Sequence, residues 1–167
     1  MSYIIRKRQQ KDCNDIANVV TVAWNETYKG IVSDEFLANL HKNKEQRAIN
    51  SLRKFNEKDN HQFVLEVDNK IVGFIKVRSA SEKSYTDCGE IQSLYIINGY
   101  KGYGYGRKLL EAGITELKRM GYNKMIISCL QGNPSNNFYK YIGGKFIKTR
   151  IFQLLKLPEN VYYFDKI

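Results

Sequence analysis

The chain has 167 residues, of which 43% are hydrophobic and 26% charged, a balance typical of one globular domain rather than of a disordered segment. Lysine and arginine number 27 against 17 aspartate and glutamate, a formal net charge of +10 that attracts polyanions but is equally typical of a solvated basic surface. No apolar run approaches the roughly 20 residues of a membrane span, and the first residues lack a signal-peptide pattern, so we expect a soluble cytoplasmic protein.

The first part of the chain predicts a strand and three helices. Residues 3–8 form the strand, and apolar residues at intervals of three and four after Asp12 indicate an amphipathic helix. A short second helix follows. A third is predicted over residues 42–56, with the apolar residues Ile49, Leu52 and Phe55 on one face.

The middle of the chain predicts a hairpin and a further strand. Two runs rich in β-branched and aromatic residues, 63–67 and 71–77, flank an Asp-Asn turn and predict two antiparallel strands. A polar loop over residues 79–88 leads into a strand over 90–97.

Helices and strands alternate in the remainder. The predicted elements are a helix over 104–120, a strand over 125–130, a helix over 133–143, and strands over 145–152 and 161–165. No repeat, low-complexity tract or domain boundary is visible, so residues 1–167 are predicted to form a single mixed α/β domain.

The cysteines and histidines do not by themselves indicate a disulfide or a metal site. Cys13, Cys88 and Cys129 are far apart and odd in number, which predicts reduced buried thiols rather than disulfides. His41 and His61 have no neighbouring cysteine and no H-x-x-x-H spacing. We therefore predict no metal site.

The run from Tyr100 to Arg107 is the most informative segment. Its glycines alternate with other residues between a predicted strand and a predicted helix, so successive backbone N–H groups can turn toward one point. The helix N-terminus and the charges of Lys101 and Arg107 add to an anion site. We predict that this run binds a phosphate or pyrophosphate. A flexible turn is the alternative, and neither the P-loop pattern nor the Rossmann glycine spacing is present.

The same run resembles the coenzyme signature Q/R-x-x-G-x-G/A of the GCN5-related N-acetyltransferases (GNAT), with Lys101 in place of the usual glutamine or arginine. Residues 133–144 resemble the family's second signature, an Asn-led helix with a Phe-Tyr pair, one residue shorter than its commonest form. Residues 24–31 and 161–165 resemble the first-helix region and the last strand of the family. The likeness spans nearly the whole chain.

The resemblance implies a single-domain α/β fold in which four to five helices flank a mixed, mostly antiparallel sheet of six to seven strands. It also implies acetyl-coenzyme A as the co-substrate, without a metal. The coenzyme-binding residues that it implies are the main chain of Leu94, Tyr95 and Ile96, the loop residues Lys101, Gly102, Tyr103, Gly104, Tyr105, Gly106 and Arg107, and the helix residues Asn133 and Ser135.

Acetylation of an amine requires a route for the amine proton, N–H donors for the oxyanion, and a proton for the departing thiolate. Glu90 is in register with a glutamate that some family members use as the base; ordered water or a simple ion pair are the alternatives. Tyr139 corresponds to the family's tyrosine beside the coenzyme sulfur and is the candidate acid, with core packing as its alternative.

The resemblance also bears on the acceptor side and on the thiols. Trp24 and Tyr28, at positions i and i+4, are candidates to line the acceptor site, with core packing as the alternative. Cys88 and Cys129 are expected in the core, because transfer in this family is usually direct.

Taken together, the resemblance implies an acetyl-coenzyme A-dependent N-acetyltransferase that acts on a small-molecule or peptide amine, away from membranes, and homodimers are common in the family. One alternative is a basic nucleic-acid-binding or regulatory module that stacks bases on its tyrosines, although no such motif stands out. Another is a coenzyme-binding sensor of the same fold with little catalysis. The acceptor is not identified by the sequence.

Overall fold

The chain forms seven strands and five helices, described over residues 1–167 by a computed structural model. The strands are β1 Tyr3–Lys7, β2 Gln62–Val67, β3 Lys70–Ser79, β4 Gly89–Ile96, β5 Met125–Leu130, β6 Lys145–Phe152 and β7 Leu157–Phe164. The helices are α1 Cys13–Tyr28, α2 Asp34–Lys42, α3 Lys44–Arg53, α4 Tyr105–Arg119 and α5 Ser135–Tyr141. None of the helices combines the length and the apolar character that crossing a bilayer requires.

All seven strands belong to one mixed sheet in the order β1-β2-β3-β4-β5-β7-β6. The pairs β1–β2, β2–β3, β5–β7 and β6–β7 are antiparallel, and β4–β5 is parallel. Hydrogen bonds from Ile97 N to Val72 O and from Ala80 N to Cys88 O, both 3.0 Å, join opposite ends of β3 and β4, so these strands are also antiparallel. The predicted α/β fold class is confirmed.

The turn between β2 and β3 shows why the hairpin was predictable. Asp68 and Asn69 have φ values of 47° and 64°, in the left-handed region that these two residue types tolerate better than most. Such turns match the right-handed twist of paired strands. The Asp-Asn pair thus determines both the position and the geometry of the hairpin.

The chain divides into two compact units. The first comprises Met1–Lys76 and Ser93–Gly113, and the second comprises Val77–Gln92 and Ile114–Ile167. Strands β3 and β4 and helix α4 each contribute residues to both units, so the single-domain prediction for residues 1–167 stays a prediction.

The core of the first unit lies where α1 packs on the sheet. Ile16 and Val19 of α1 contact Val64 of β2 and Phe74 of β3, and all four side chains are buried. Ile16 and Val19 are three residues apart and so share one face of α1, while Val64 and Phe74 belong to the apolar patterns of their strands. The sequence pattern therefore predicts their burial.

The core of the second unit includes part of the predicted polar loop. Cys88, Ile126 and Val161 are buried together, and Tyr85 from the loop packs on Tyr163 with ring centroids 5.6 Å apart. Tyr85 and Cys88 therefore anchor the loop to this core, while most of its polar residues are exposed.

Two of the apolar residues that the sequence places on one face of α3 are exposed. Ile49 and Leu52 are 44% and 43% exposed, whereas Ala48 is buried. The buried side instead carries Arg47, whose guanidinium donates to the Thr21 hydroxyl on α1 and to a main-chain carbonyl of α2. A small residue such as Ala48, next to this guanidinium, allows α3 to pack closely against other helices. The hydrophobic periodicity of the sequence does not identify this side of α3.

Gly73 on β3 occupies a position where a side chain has no room. A Cβ there would lie 2.8 Å from the Tyr95 carbonyl oxygen and 3.0 Å from Cγ1 of Ile96. We predict that Gly73→Ala lowers the free energy of unfolding by about 1–3 kcal/mol, because backbone atoms must move. Urea or thermal denaturation measures this loss. Gly99→Ala, where a Cβ meets nothing within 4 Å, serves as the control and should stay within about 0.5 kcal/mol of the parent protein. Equal stabilities of the two variants would contradict the close approach of β3 and β4.

Candidate functional site

The glycine-rich loop between β4 and α4 has a backbone that depends on two of its glycines. Gly102 and Gly104 have φ values of 86° and 77°, in the left-handed region that favours glycine. A Cβ built at either residue would meet no atom within 4 Å, so the loop is open above them. Gly106 differs, because it lies in the first turn of α4 and does not have a positive φ.

Helix α4 begins at the end of this loop and presents its N-terminus there. The N–H of Lys108 donates to the carbonyl of Gly104 at 3.2 Å, which starts the helical hydrogen-bond pattern. The N–H groups of Tyr105, Gly106 and Arg107 precede that bond and have no acceptor within the helix. Three adjacent N–H donors at the positive end of a helix dipole suit a phosphate or pyrophosphate group.

A carboxylate on α1 holds the start of the loop. Glu26 accepts a hydrogen bond from the N–H of Asn98 at 2.8 Å, at the beginning of a 3₁₀ turn, Asn98–Tyr100. The turn closes with the N–H of Lys101 donating to the Asn98 carbonyl at 3.0 Å. The sequence analysis missed Glu26, and no local signal could have found it, because its partner lies 72 residues away.

Strand β4 pairs with β5 along only part of its length. The ladder joins Gly89, Glu90 and Ile91 to residues 125–127, although β4 continues to Ile96. The Ile97 N–H points to β3, and N–H groups of consecutive strand residues point to opposite neighbours. The N–H of Ile96 is therefore directed away from β3, where it can serve a ligand.

The aromatic residues of α1 lie in a buried cluster. Trp24 is 9% exposed, and its ring centroid lies 4.5 Å from that of Tyr28, 5.7 Å from that of Phe36 and 6.3 Å from that of Tyr95. These contacts join α1, α2 and the end of β4. They favour the packing alternative for Trp24 and Tyr28, and their contact with an acceptor stays a prediction.

Glu90 lies on β4 with its side chain 3% exposed and both carboxylate oxygens engaged. Oε2 accepts from Nε of Arg78 at 2.9 Å and from the N–H and hydroxyl of Ser81, both at 3.3 Å. Oε1 lies 3.4 Å from Nη2 of Arg150. The geometry is therefore that of the ion-pair alternative, and a proton-transfer role stays a prediction.

Arg150 on β6 links the carboxylates around it. Its Nε donates to Glu159 at 2.7 Å, Nη1 to Glu82 at 3.1 Å and Nη2 to the hydroxyl of Ser128 at 2.8 Å, besides the contact with Glu90. Burial opposes the charge, but the hydrogen bond to Glu159 and the neighbouring carboxylates outweigh it, so the pKa of Arg150 is raised. A charged group placed in this way holds β4, β5, β6 and β7 in register.

Asn133 lies just before Pro134, the N-cap of α5. Its Oδ1 accepts from the N–H of Ser135 at 2.8 Å, the first residue of the helix, and its side chain is largely buried. This satisfies one of the N–H groups that a helix start leaves open. A direct contact of Asn133 or Ser135 with a ligand stays a prediction.

Tyr139 of α5 is 6% exposed and packs among other rings. Its centroid lies 5.6 Å from that of Phe138 and 6.1 Å from that of Tyr162 on β7. Phe138 is only half-buried, as expected for neighbours on a helix that cannot face the same way. The ring is thus firmly held, and its role as an acid stays a prediction.

All three thiols are buried and free. Burial raises the pKa of Cys88 to about 11, with Asp87 adding to the effect, and burial raises that of Cys129 to about 12. Both thiols are protonated at neutral pH and are poor nucleophiles. No three histidine, cysteine, aspartate or glutamate side chains cluster in a way that could hold a metal ion.

The candidate residues divide between the two units. The first unit contains the glycine-rich loop, the end of β4 from Leu94 to Ile96, Trp24 and Tyr28. The second contains Glu90, Asn133, Ser135 and Tyr139. Within the first unit, the structure joins the loop to α1 through Glu26 and joins the end of β4 to α1 through Tyr95.

Comparison with known proteins points to one family. Residues 19–143 match the model of the acetyltransferase (GNAT) family. A relative from Bacillus subtilis (strain 168), an uncharacterised N-acetyltransferase named YuaI, is 25% identical over 142 residues, which cover 81% of this chain and 76% of the relative.

Solved structures share the fold. The PaiA N-acetyltransferase from Thermoplasma acidophilum, crystallised with coenzyme A, is 20% identical and has a TM-score of 0.78, with 98% of this chain and 100% of that chain covered. The ribosomal-protein-S18-alanine N-acetyltransferase from Escherichia coli is 16% identical and has a TM-score of 0.65, with 97% and 92% covered.

Proposed function

Because the chain belongs to the acetyltransferase (GNAT) family, we propose that it is an N-acetyltransferase that moves an acetyl group from acetyl-coenzyme A directly to an amine. The observation that carries the proposal is the loop at Gly102 and Gly104, whose left-handed backbone leads straight into the N-terminus of α4. The acceptor is proposed only as a small-molecule or peptide amine.

The donor's pyrophosphate would be held by the first-turn N–H groups of α4, from Tyr105 to Arg107. The open space above Gly102 and Gly104, which a Cβ would fill, fits a phosphate group close to the backbone. Lys101 and Arg107 would add positive charge. The donor itself supplies an acetyl thioester, whose carbonyl is open to attack by a neutral amine.

The end of β4 would position the acetyl group. Main-chain groups from Leu94 to Ile96 extend beyond the ladder with β5, which leaves donors such as the Ile96 N–H for the pantetheine arm and the thioester carbonyl. In the transition state the same kind of donor stabilises the developing oxyanion, and fixed backbone dipoles do this without reorganisation.

The amine proton has two routes, Glu90 or water. The contacts of Glu90 support water, since both of its oxygens already accept hydrogen bonds, two of them from arginine side chains. In this proposal Glu90 keeps Arg78 and Arg150 in place, and the amine loses its proton to solvent before attack.

Tyr139 is proposed to protonate the departing thiolate. Its packing against Tyr162 fixes the ring, which is a requirement for a positioned proton donor. Direct transfer is supported by the raised pKa values of Cys88 and Cys129, because a protonated buried thiol cannot take up the acetyl group.

Two further predictions from the sequence carry over as proposals. The enzyme would act in the cytoplasm, and residues 1–167 would form a single N-acetyltransferase domain. Nucleic acid is not proposed as a partner. The alternative is a coenzyme-binding sensor without catalysis, and an assay of coenzyme A release distinguishes such a sensor from an enzyme.

Gly106→Val tests the donor site. A Cβ at Gly106 would lie 3.8 Å from Cδ1 of Ile96, an ordinary contact, so the fold should accept the change. The added side chain crowds the first-turn N–H groups, and we predict that acetyl-coenzyme A binds at least about tenfold more weakly by calorimetry. Gly99→Val, in open space in the 3₁₀ turn at the start of the loop, is the matched control. If a folded Gly106→Val variant binds acetyl-coenzyme A with unchanged affinity, this site is refuted. If the parent protein binds an oligonucleotide but not acetyl-coenzyme A, the proposed function is refuted.

Tyr139→Phe tests the acid. The ring and its contact with Tyr162 remain, so we predict that kcat falls about 10²-fold while affinity for acetyl-coenzyme A stays within about twofold. Tyr141→Phe, an 80% exposed tyrosine on the same helix, should leave kcat unchanged. If the two variants have the same kcat when chemistry limits the rate, Tyr139 is a packing residue.

Glu90→Gln separates the two proton routes. We predict that kcat/KM and its pH profile stay within about twofold of the parent enzyme, because water takes the proton. We also predict a loss of about 1–2 kcal/mol in the free energy of unfolding, because Arg78 and Arg150 lose a charged partner that is itself buried. Loss of the acidic limb of the profile together with a slow rate would instead identify Glu90 as the base.

A further inference from the structure

Three tyrosine rings contact one another at the glycine-rich loop, and we refer to Tyr3, Tyr105 and Tyr103 as the tyrosine ladder. The rings of Tyr3 and Tyr105 are tilted by 53° with centroids 5.2 Å apart, whereas those of Tyr105 and Tyr103 are stacked, with centroids 5.8 Å apart and an interplanar angle of 29°. Tyr105 is 6% exposed and forms the middle of the ladder, whereas Tyr103 is 56% exposed and forms its outer end.

Tyr103 lies between Gly102 and Gly104, and its ring is supported by another ring. The buried ring of Tyr105 stacks on one face of the Tyr103 ring. The other face of this ring is exposed to solvent. Because the contact with Tyr105 already restricts the ring, less conformational entropy is lost when a ligand binds to it. A rigid, exposed aromatic face next to an anion site is suited to a planar ligand attached to a phosphate.

Lys108 contacts the far end of the ladder and not this face. The ammonium of Lys108 lies 5.3 Å from the ring centroid of Tyr3, and a hydrogen bond with Tyr3 raises its pKa. Tyr103 has no charge to offer a phosphate. The exposed face of its ring, which Tyr105 supports from the other side, is the part that we expect to contact a ligand.

We propose that the exposed face of Tyr103 stacks on the adenine base of the donor coenzyme. This inference rests on the proposed function, since it takes acetyl-coenzyme A as the ligand of the loop. A pyrophosphate held by the N–H groups from Tyr105 to Arg107 is joined through one ribose to adenine, so the base lies within reach of the residue between the two glycines. Aromatic side chains stack well on purine bases.

The stacking gives the enzyme a preference among donors. A thioester carried on a 4′-phosphopantetheine group, free or attached to a carrier protein, has the same reactive end but no adenine. Tyr103 thus selects the nucleotide form of the donor, while the glycines and α4 bind the phosphate that both forms share.

Calorimetry with coenzyme A and with 4′-phosphopantetheine tests the proposal on the full chain. Tyr103→Ala should weaken coenzyme A binding by about 5- to 100-fold and leave phosphopantetheine binding within about twofold, because only the first ligand has a base to stack. Tyr103→Phe keeps the ring and should match the parent protein for both ligands. Tyr141→Ala removes an exposed tyrosine elsewhere and is the matched control.

The outcomes separate this inference from the proposed function. A parent protein that binds no coenzyme A refutes both. Coenzyme A binding that Tyr103→Ala leaves unchanged, or that it weakens equally for both ligands, refutes stacking but leaves the acetyltransferase proposal intact. A weakened Tyr103→Phe variant also refutes it, since the hydroxyl and not the ring would then contact the ligand.

Discussion

The course of β4 is the constraint on which the functional geometry depends. Gly89 and Ile96, seven residues apart, both lie against α4: a Cβ on Gly89 would collide with Leu117, and Ile96 lies beside Leu109 next to Gly73. A regular strand would direct residues seven apart to opposite faces, so β4 contains an irregularity between them. Its ladder with β5 ends at Ile91, in the same stretch.

This irregularity explains several other features. It places Tyr95 against Trp24 and Phe74 on the α1 side while Ile96 remains against α4. It brings the Tyr95 carbonyl so close to β3 that only glycine fits at position 73. The β4–β5 pairing also stops there, so β5 does not pair with the remainder of β4.

The buried charges of the second unit follow from a different constraint. Glu90 cannot be buried as an anion without cations, and Arg78 and Arg150 supply them from β3 and β6. Glu82 completes the group and also pairs with Lys148; that hydrogen bond, and the one from Arg150, lower the pKa of Glu82. Each carboxylate of this network thus has a cationic partner on a neighbouring element.

The sequence by itself determined the elements, the hairpin turn and the glycine-rich loop, because helical spacing, the Asp-Asn pair and the alternate glycines each act over a few residues. Similarity to family signatures also identified the fold class. The sequence could not show that Ala48 rather than Ile49 faces α1, that Glu26 anchors the loop, or that Glu90 meets Arg78 and Arg150. Those outcomes depend on residues that are distant in the chain and become neighbours only when the sheet has formed, so the tertiary structure alone decided them.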